Sequence, residues 1–84
     1  LHPRIEKNVG LIYLKQSNYS EAKVHLEKAV NLNPSLYDAH FYLGETYMKL
    51  HDNENAKSSF RQVMKLAPET PFGQKAKEYL QSLR

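Results

Sequence analysis

The chain contains no cysteine, so it can form neither a disulfide nor a thiolate metal site. In 84 residues this matters, because chains of this size bury only about 60% of their unfolded surface and often rely on such staples. Regular helix packing is therefore expected to supply the stability, and the missing cysteine leaves the compartment open. No apolar run is long enough to cross a membrane as a helix, and no signal-peptide pattern is present. The chain opens on Leu1 rather than Met, as expected of a segment of a longer protein, so a leader or anchor upstream stays open. The 12 Lys and Arg exceed the 9 Asp and Glu by only three, and both signs are interspersed. That reads as a solvated surface and argues against a nucleic-acid partner, which would need a clustered basic stripe.

Catalytic patterns are missing too. There is no His-x-x-x-His spacing and no Gly-rich phosphate loop, and Ser17, Ser58 and Ser59 have no adjacent base. Glu6 and His40 are expected to lie close together on neighbouring helices, but no third polar partner is evident to make them a metal or catalytic site. No cofactor, metal or enzymatic activity is expected. No strand signal, low-complexity tract or long linker is present.

What the chain does have is a repeat. Gly10, Tyr13, Ala22, Leu32 and Pro34 recur 34 residues later as Gly44, Tyr47, Ala56, Leu66 and Pro68, and Lys15/Lys49 and Lys23/Lys57 keep the same step. A fixed period of this length signals stacked supersecondary units, each with an apolar face that its neighbour buries.

Helical spacing supports an all-α chain of five helices. The first covers 3–16, with Pro3 in its opening turn and Ile5, Val9, Ile12 and Tyr13 in phase. The second covers 20–33, capped by Ser20, with Ala22, Leu26, Ala29, Val30 and Leu32 on one stripe and Asn33-Pro34 ending it. The third covers 37–50, capped by Ser35, with Ala39, Leu43, Tyr47 and Leu50 inward. The fourth covers 54–67, with Ala56, Phe60, Val63 and Met64 inward. Thr70-Pro71 starts a fifth, which runs to about Leu83 and uses Phe72, Ala76, Tyr79, Leu80 and Leu83. Mid-helix glycine costs about 1 kcal/mol against alanine, so Gly10 and Gly44 imply a neighbouring helix pressed against the backbone.

These offsets resemble the tetratricopeptide repeat (TPR) family. A first unit over about 3–36 supplies Val9-Gly10, Tyr13, Ala22, Leu26, Ala29 and Pro34. A second over about 37–70 supplies Leu43-Gly44, Tyr47, Ala56, Phe60, Val63 and Pro68, and the last helix, about 71–84, looks like a cap on one domain spanning 1–84. The sequence departs from the family at Glu6 and His40, where tryptophan is usual, and at Ser17 and His51, where the turn often has glycine.

The resemblance implies a right-handed superhelical stack whose first helices line a concave groove for a peptide or partner helix, a protein-interaction module and not an enzyme. The groove positions would be Lys7, Leu11, Leu14, Phe41, Glu45, Met48, Lys75 and Tyr79, flanked by Arg4, Asn8, Lys15, Tyr42 and Lys49. A known subgroup grips acidic chaperone tails. Lys7 matches its pattern, but Leu11, Tyr42, Phe72 and Ala76 do not, which argues against that clamp. Tyr13 and Tyr47 are expected in the core. Ile5 and Ile12 on the open flank of the first helix, with Leu80 and Leu83 near the other end, suggest either upstream repeats or a second copy of the chain. A structural self-assembly segment is therefore the alternative function.

Overall fold

The computed structural model describes residues 2–83. They form α1 (Pro3–Lys15), α2 (Tyr19–Leu32), α3 (Tyr37–Lys49), α4 (Asn53–Leu66) and α5 (Pro71–Ser82), with no strand among the described residues. Each helix packs against the next, and α1 also meets α3 as α3 meets α5. The odd-numbered helices thus run side by side, while α2 and α4 fill the seams behind them.

Local chemistry sets the helix ends. Pro3 and Pro71 stand in first turns, where a missing N–H costs nothing. The Asp52 carboxylate accepts from the Asn55 amide at 3.3 Å, and the Thr70 hydroxyl accepts from the Gly73 amide at 3.1 Å. Ser20 and Ser35 do not cap. The turn before α2 delivers the chain into helix at Tyr19, so Ser20 already lies inside it, and Asn18 holds the cap position with no side-chain bond. Leu36 holds the cap position of α3, and Ser35 instead donates its amide to the Asn33 side chain.

Both helix pairs turn in the same way. The Asn18 amide reaches back to the Tyr13 carbonyl and the Ser17 amide to that of Leu14, a Schellman motif. The Asp52 and His51 amides repeat it on Tyr47 and Met48. Ser17 (φ 61°) and His51 (φ 62°) take the left-handed residue of the motif. A side chain there costs about 1–2 kcal/mol, which explains why glycine suits this position.

The core is the repeat seen in three dimensions. Ala22, Leu26, Ala29, Ala39, Ala56, Phe60, Val63 and Ala76 are fully buried. A Cβ on Gly10 would meet Leu26 Cγ at 2.6 Å, and one on Gly44 would meet Phe60 Cε1 at 2.7 Å, so both glycines mark close helix approach. Tyr47 is buried, as expected, and Tyr13 half-buried. Leu32 and Leu50 are not inward. Ten residues beyond Ala22, Leu32 has rotated roughly 80° off the buried stripe, and it is 43% exposed. Leu50 is the C-cap residue of α3, where the chain turns away.

Glu6 and His40 do not meet. The Glu6 carboxylate lies 2.8 Å from His25 Nδ1, across the α1–α2 pair, and the His25 ring stacks on Tyr13 at 5.5 Å. The bond to His25 is the main force lowering the Glu6 pKa. His40 Nε2 lies 2.8 Å from the Pro34 carbonyl. Equivalent residues one repeat apart sit a helix width apart, so the nearer partner comes from within the pair.

Candidate functional site

The odd-numbered helices line an open cavity of about 530 Å³. Leu11, Leu14 and Lys15 come from α1, Tyr42, Glu45, Met48 and Lys49 from α3, and Tyr79 from α5. Positions three and four apart share one helix face, which brings Leu11, Leu14 and Lys15 together, and likewise Tyr42, Glu45 and Met48. Tyr19, the first residue of α2, closes one side. The residues expected for the groove had not included it; an aromatic directly after the Ser17 turn was the available signal.

The expected site residues divide. Leu11, Leu14, Tyr42, Glu45, Met48 and Tyr79 come together with the flanking Lys15 and Lys49. Phe41 does not line the cavity. It is 6% exposed, and its ring sits 5.2 Å from Phe72, 5.8 Å from Phe60 and 5.9 Å from Tyr79. The physical reason is the seam between odd helices: one residue before Tyr42, Phe41 points about 100° away, into the gap that α5 closes. Lys7, one repeat earlier, occupies the equivalent seam between α1 and α3, where its Nζ lies 3.0 Å from Asp38 of α3. Lys75, one repeat later, is exposed and outside the cavity lining. Arg4 and Asn8 are also exposed and outside it.

The cavity has an apolar floor, one internal acid and a cationic rim. The Tyr79 hydroxyl donates to the Glu45 carboxylate at 3.0 Å and ties α5 to α3. Burial pushes the Glu45 pKa above the ordinary carboxylate value, while the Tyr79 bond and the Lys49 and Lys75 charges pull it back in part. Burial first, then the bond to Glu45, raises the Tyr79 pKa. Burial, then repulsion from Asp38 and Glu45, raises that of Tyr42. Both phenols therefore stay protonated donors at neutral pH. Among the described residues, neither Lys15 nor Lys49 has an acidic partner within 4.0 Å. Such a rim is complementary in charge to carboxylates, and such a floor in character to apolar side chains. No group of three His, Cys, Asp or Glu among the described residues could hold a metal, and no described helix is long and apolar enough to cross a membrane.

Family models match the chain twice. A TPR repeat model covers residues 10–50 and a tetratricopeptide repeat model covers 37–70, so the two span 10–70. A Caenorhabditis elegans protein O-mannosyl-transferase, F38B6.6, is 32% identical over 63 residues, which is 75% of this chain and 9% of that protein. The BBSome complex member BBS4 of Bos taurus is 30% identical over 63 residues, 75% of this chain and 12% of that protein. The anaphase-promoting complex subunit CDC16 of Saccharomyces cerevisiae is 35% identical over 69 residues, 74% of this chain and 8% of that protein. The chain thus spans about a tenth of these relatives' length.

Among solved structures, the first TPR of Spaghetti (RPAP3), bound to the HSP90 peptide SRMEEVD, superposes with a TM-score of 0.89. It is 24% identical, and the match covers 98% of this chain and 63% of that one. Two repeat models, a shared fold and an internal 34-residue period place the chain in the tetratricopeptide repeat family.

Proposed function

We propose that the chain is a non-catalytic protein-interaction module that holds a peptide or helix of a partner against its odd-numbered helices. The carrying observation is the 530 Å³ cavity, in which an apolar floor from α1 and α3 meets the cationic rim of Lys15 and Lys49. The RPAP3 neighbour holds a peptide on the same fold; at 24% identity it speaks for the scaffold and not for the ligand. Here Leu11 and Tyr42 stand where the chaperone-tail clamp needs polar groups, so the preferred segment has a bulky apolar anchor beside a carboxylate. The relative named a mannosyl-transferase shares only 9% of its length with this chain, which leaves ample room for that chemistry elsewhere in that protein.

The test is to select peptides on the chain from a random displayed library and measure their affinity by fluorescence anisotropy. Leu11→Glu and Lys49→Glu, at half-buried and exposed positions, should each weaken binding about tenfold while leaving the helical circular dichroism intact. Selected peptides that bind both variants as tightly as the parent would end this reading.

A second reading rests on α1. Ile5 and Ile12 are 60% and 56% exposed, whereas Ala39 and Thr46, their counterparts 34 residues on, are fully buried. This flank is therefore suited to another helix, and a second copy of the chain is one source of it. If the flank self-pairs, Ile5→Glu with Ile12→Glu lowers the mass in sedimentation equilibrium without unfolding the monomer. A parent chain that is monomeric at high concentration refutes self-pairing.

A further inference from the structure

Helix α5 borders two cavities. One side presents Tyr79 to the cavity described above. The other forms, with α4, a separate cavity of about 380 Å³. Lys57, Arg61 and Met64 line it from α4, and Lys77, Leu80 and Gln81 from α5. These spacings put each trio on one helix face. Met64 and Leu80 are half-buried and make an apolar floor, while Arg61 and Lys77 are exposed. Among the described residues, neither Arg61 nor Lys77 has an acidic partner within 4.0 Å. Lys57 has Glu54 at 3.5 Å, but that carboxylate is 90% exposed and holds little of the charge. The sequence disperses its cations; the fold gathers three of them here.

Between α2 and α3, where a cavity of about 470 Å³ also opens, the internal repeat shows how the charges of such a seam are matched. Thirty-four residues earlier, the same six positions are Lys23, Glu27, Val30, Leu43, Thr46 and Tyr47. At that seam the Tyr47 hydroxyl donates to Glu27 at 2.6 Å, and Lys23 Nζ lies 6.0 Å above the Tyr47 ring. Leu43 is 4% exposed and Thr46 fully buried. At the α4–α5 seam, Arg61 replaces Glu27, Lys77 replaces Leu43 and Gln81 replaces Tyr47. The acid and its phenol donor are both gone, and two cations stand among the substitutes. On α3 the corresponding flank is covered by α4; no described helix covers that of α5. The α2–α3 seam matches its acid to a phenol and its lysine to a ring, whereas the α4–α5 seam carries cations without an acid among its lining residues.

We propose that the α4–α5 seam docks an acidic segment of a partner protein. Carboxylates of the segment meet Lys57, Arg61 and Lys77, and an apolar side chain between them rests on Met64 and Leu80. The site is separate from the one between the odd-numbered helices, and one chain can hold both ligands at once.

The probe is a synthetic helical peptide of about twelve residues, with two leucines one turn apart among glutamates. Its control replaces every glutamate with glutamine. Titration into the ¹⁵N-labelled chain should move the amides of Arg61, Lys77 and Gln81, with affinity falling as salt rises. The control should bind at least tenfold more weakly. Arg61→Glu with Lys77→Glu, both exposed and compatible with folding, should weaken the probe tenfold or more. Leu11→Glu should leave the shifts of Arg61, Lys77 and Gln81 and their salt dependence unchanged, which separates this site from the proposed groove. The proposal is overturned by any of four results: no binding at about 1 mM peptide, shifts centred on Leu14 and Met48 instead, indifference to the charge reversal, or tighter binding of an anionic vesicle or single-stranded oligonucleotide at equal salt.

Discussion

Replacing Phe41 with alanine separates packing from binding at the centre of the stack. The ring is 6% exposed and has four aromatic neighbours, Tyr42, Phe60, Phe72 and Tyr79, with centroids 5.2–5.9 Å away. Three of the contacts are edge-on, the arrangement favoured by ring quadrupoles. The ring joins α3 to both α4 and α5, so little can collapse into the space it leaves. Truncating such a phenylalanine costs about 3–5 kcal/mol. At roughly 0.05–0.15 kcal/mol per residue, an 84-residue chain holds about 4–13 kcal/mol in all. The substitution therefore removes a large share of the stability and lowers Tm by about 12 °C or more. Tyr42→Ala, at a half-buried ring beside the cavity, should cost only about 1–2 kcal/mol. Urea denaturation followed by circular dichroism measures both, with the midpoint moving and the slope constant. A Phe41→Ala cost under about 1 kcal/mol, or one equal to that of Tyr42→Ala, would refute this assignment of Phe41 to the core.

Gly44→Ala should lose up to about 2 kcal/mol in thermal melts: alanine gains about 1 kcal/mol in helix propensity, but its Cβ would press on a fully buried Phe60 ring boxed in by Phe41 and Tyr79, and overpacking of that kind costs about 1–3 kcal/mol. A net gain in stability would contradict the close approach of α3 and α4. Glu45 predicts a pH dependence of definite sign. Its folded pKa is raised, so the folded state binds more protons than the unfolded state from the ordinary carboxylate value upward, and the contribution of Glu45 to stability falls as pH rises through that window. The stability of Glu45→Gln relative to the parent should therefore improve between about pH 4 and pH 7; a relative loss over that range would show that burial does not govern this carboxyl.

The helix pairs were legible in the sequence because each carries its own punctuation. Pro34 and Thr70-Pro71 mark boundaries by removing or fixing backbone freedom, and Gly10 and Gly44 announce close contact at the Leu26 and Phe60 side chains that meet them. The caps were less legible. Ser20 and Ser35 have the right chemistry one or two residues from where the backbone needs it, and a Schellman turn of fixed geometry decides the start of α2. In the candidate site, Tyr42 and Phe41 are neighbours in sequence with opposite fates, because the second faces a seam defined only once α5 is packed. Lys7 faces the equivalent seam one repeat earlier, between α1 and α3, and is met there by Asp38. Tyr19 enters the cavity from α2, beyond the reach of a reading confined to the odd helices. The positive α4–α5 seam was hidden for a related reason: Arg61 and Lys77 belong to different helices, and interspersed charges in sequence say nothing about what packing brings together.

The most direct test of the central claim is an NMR map of where a peptide selected on this chain binds. Backbone amides of the ¹⁵N-labelled chain would be followed at saturating peptide. The account predicts the largest shifts at Leu14, Tyr42 and Met48, on the faces of α1 and α3 that line the cavity. Shifts centred on the outer faces of α2 and α4, with those three residues unmoved, would contradict it.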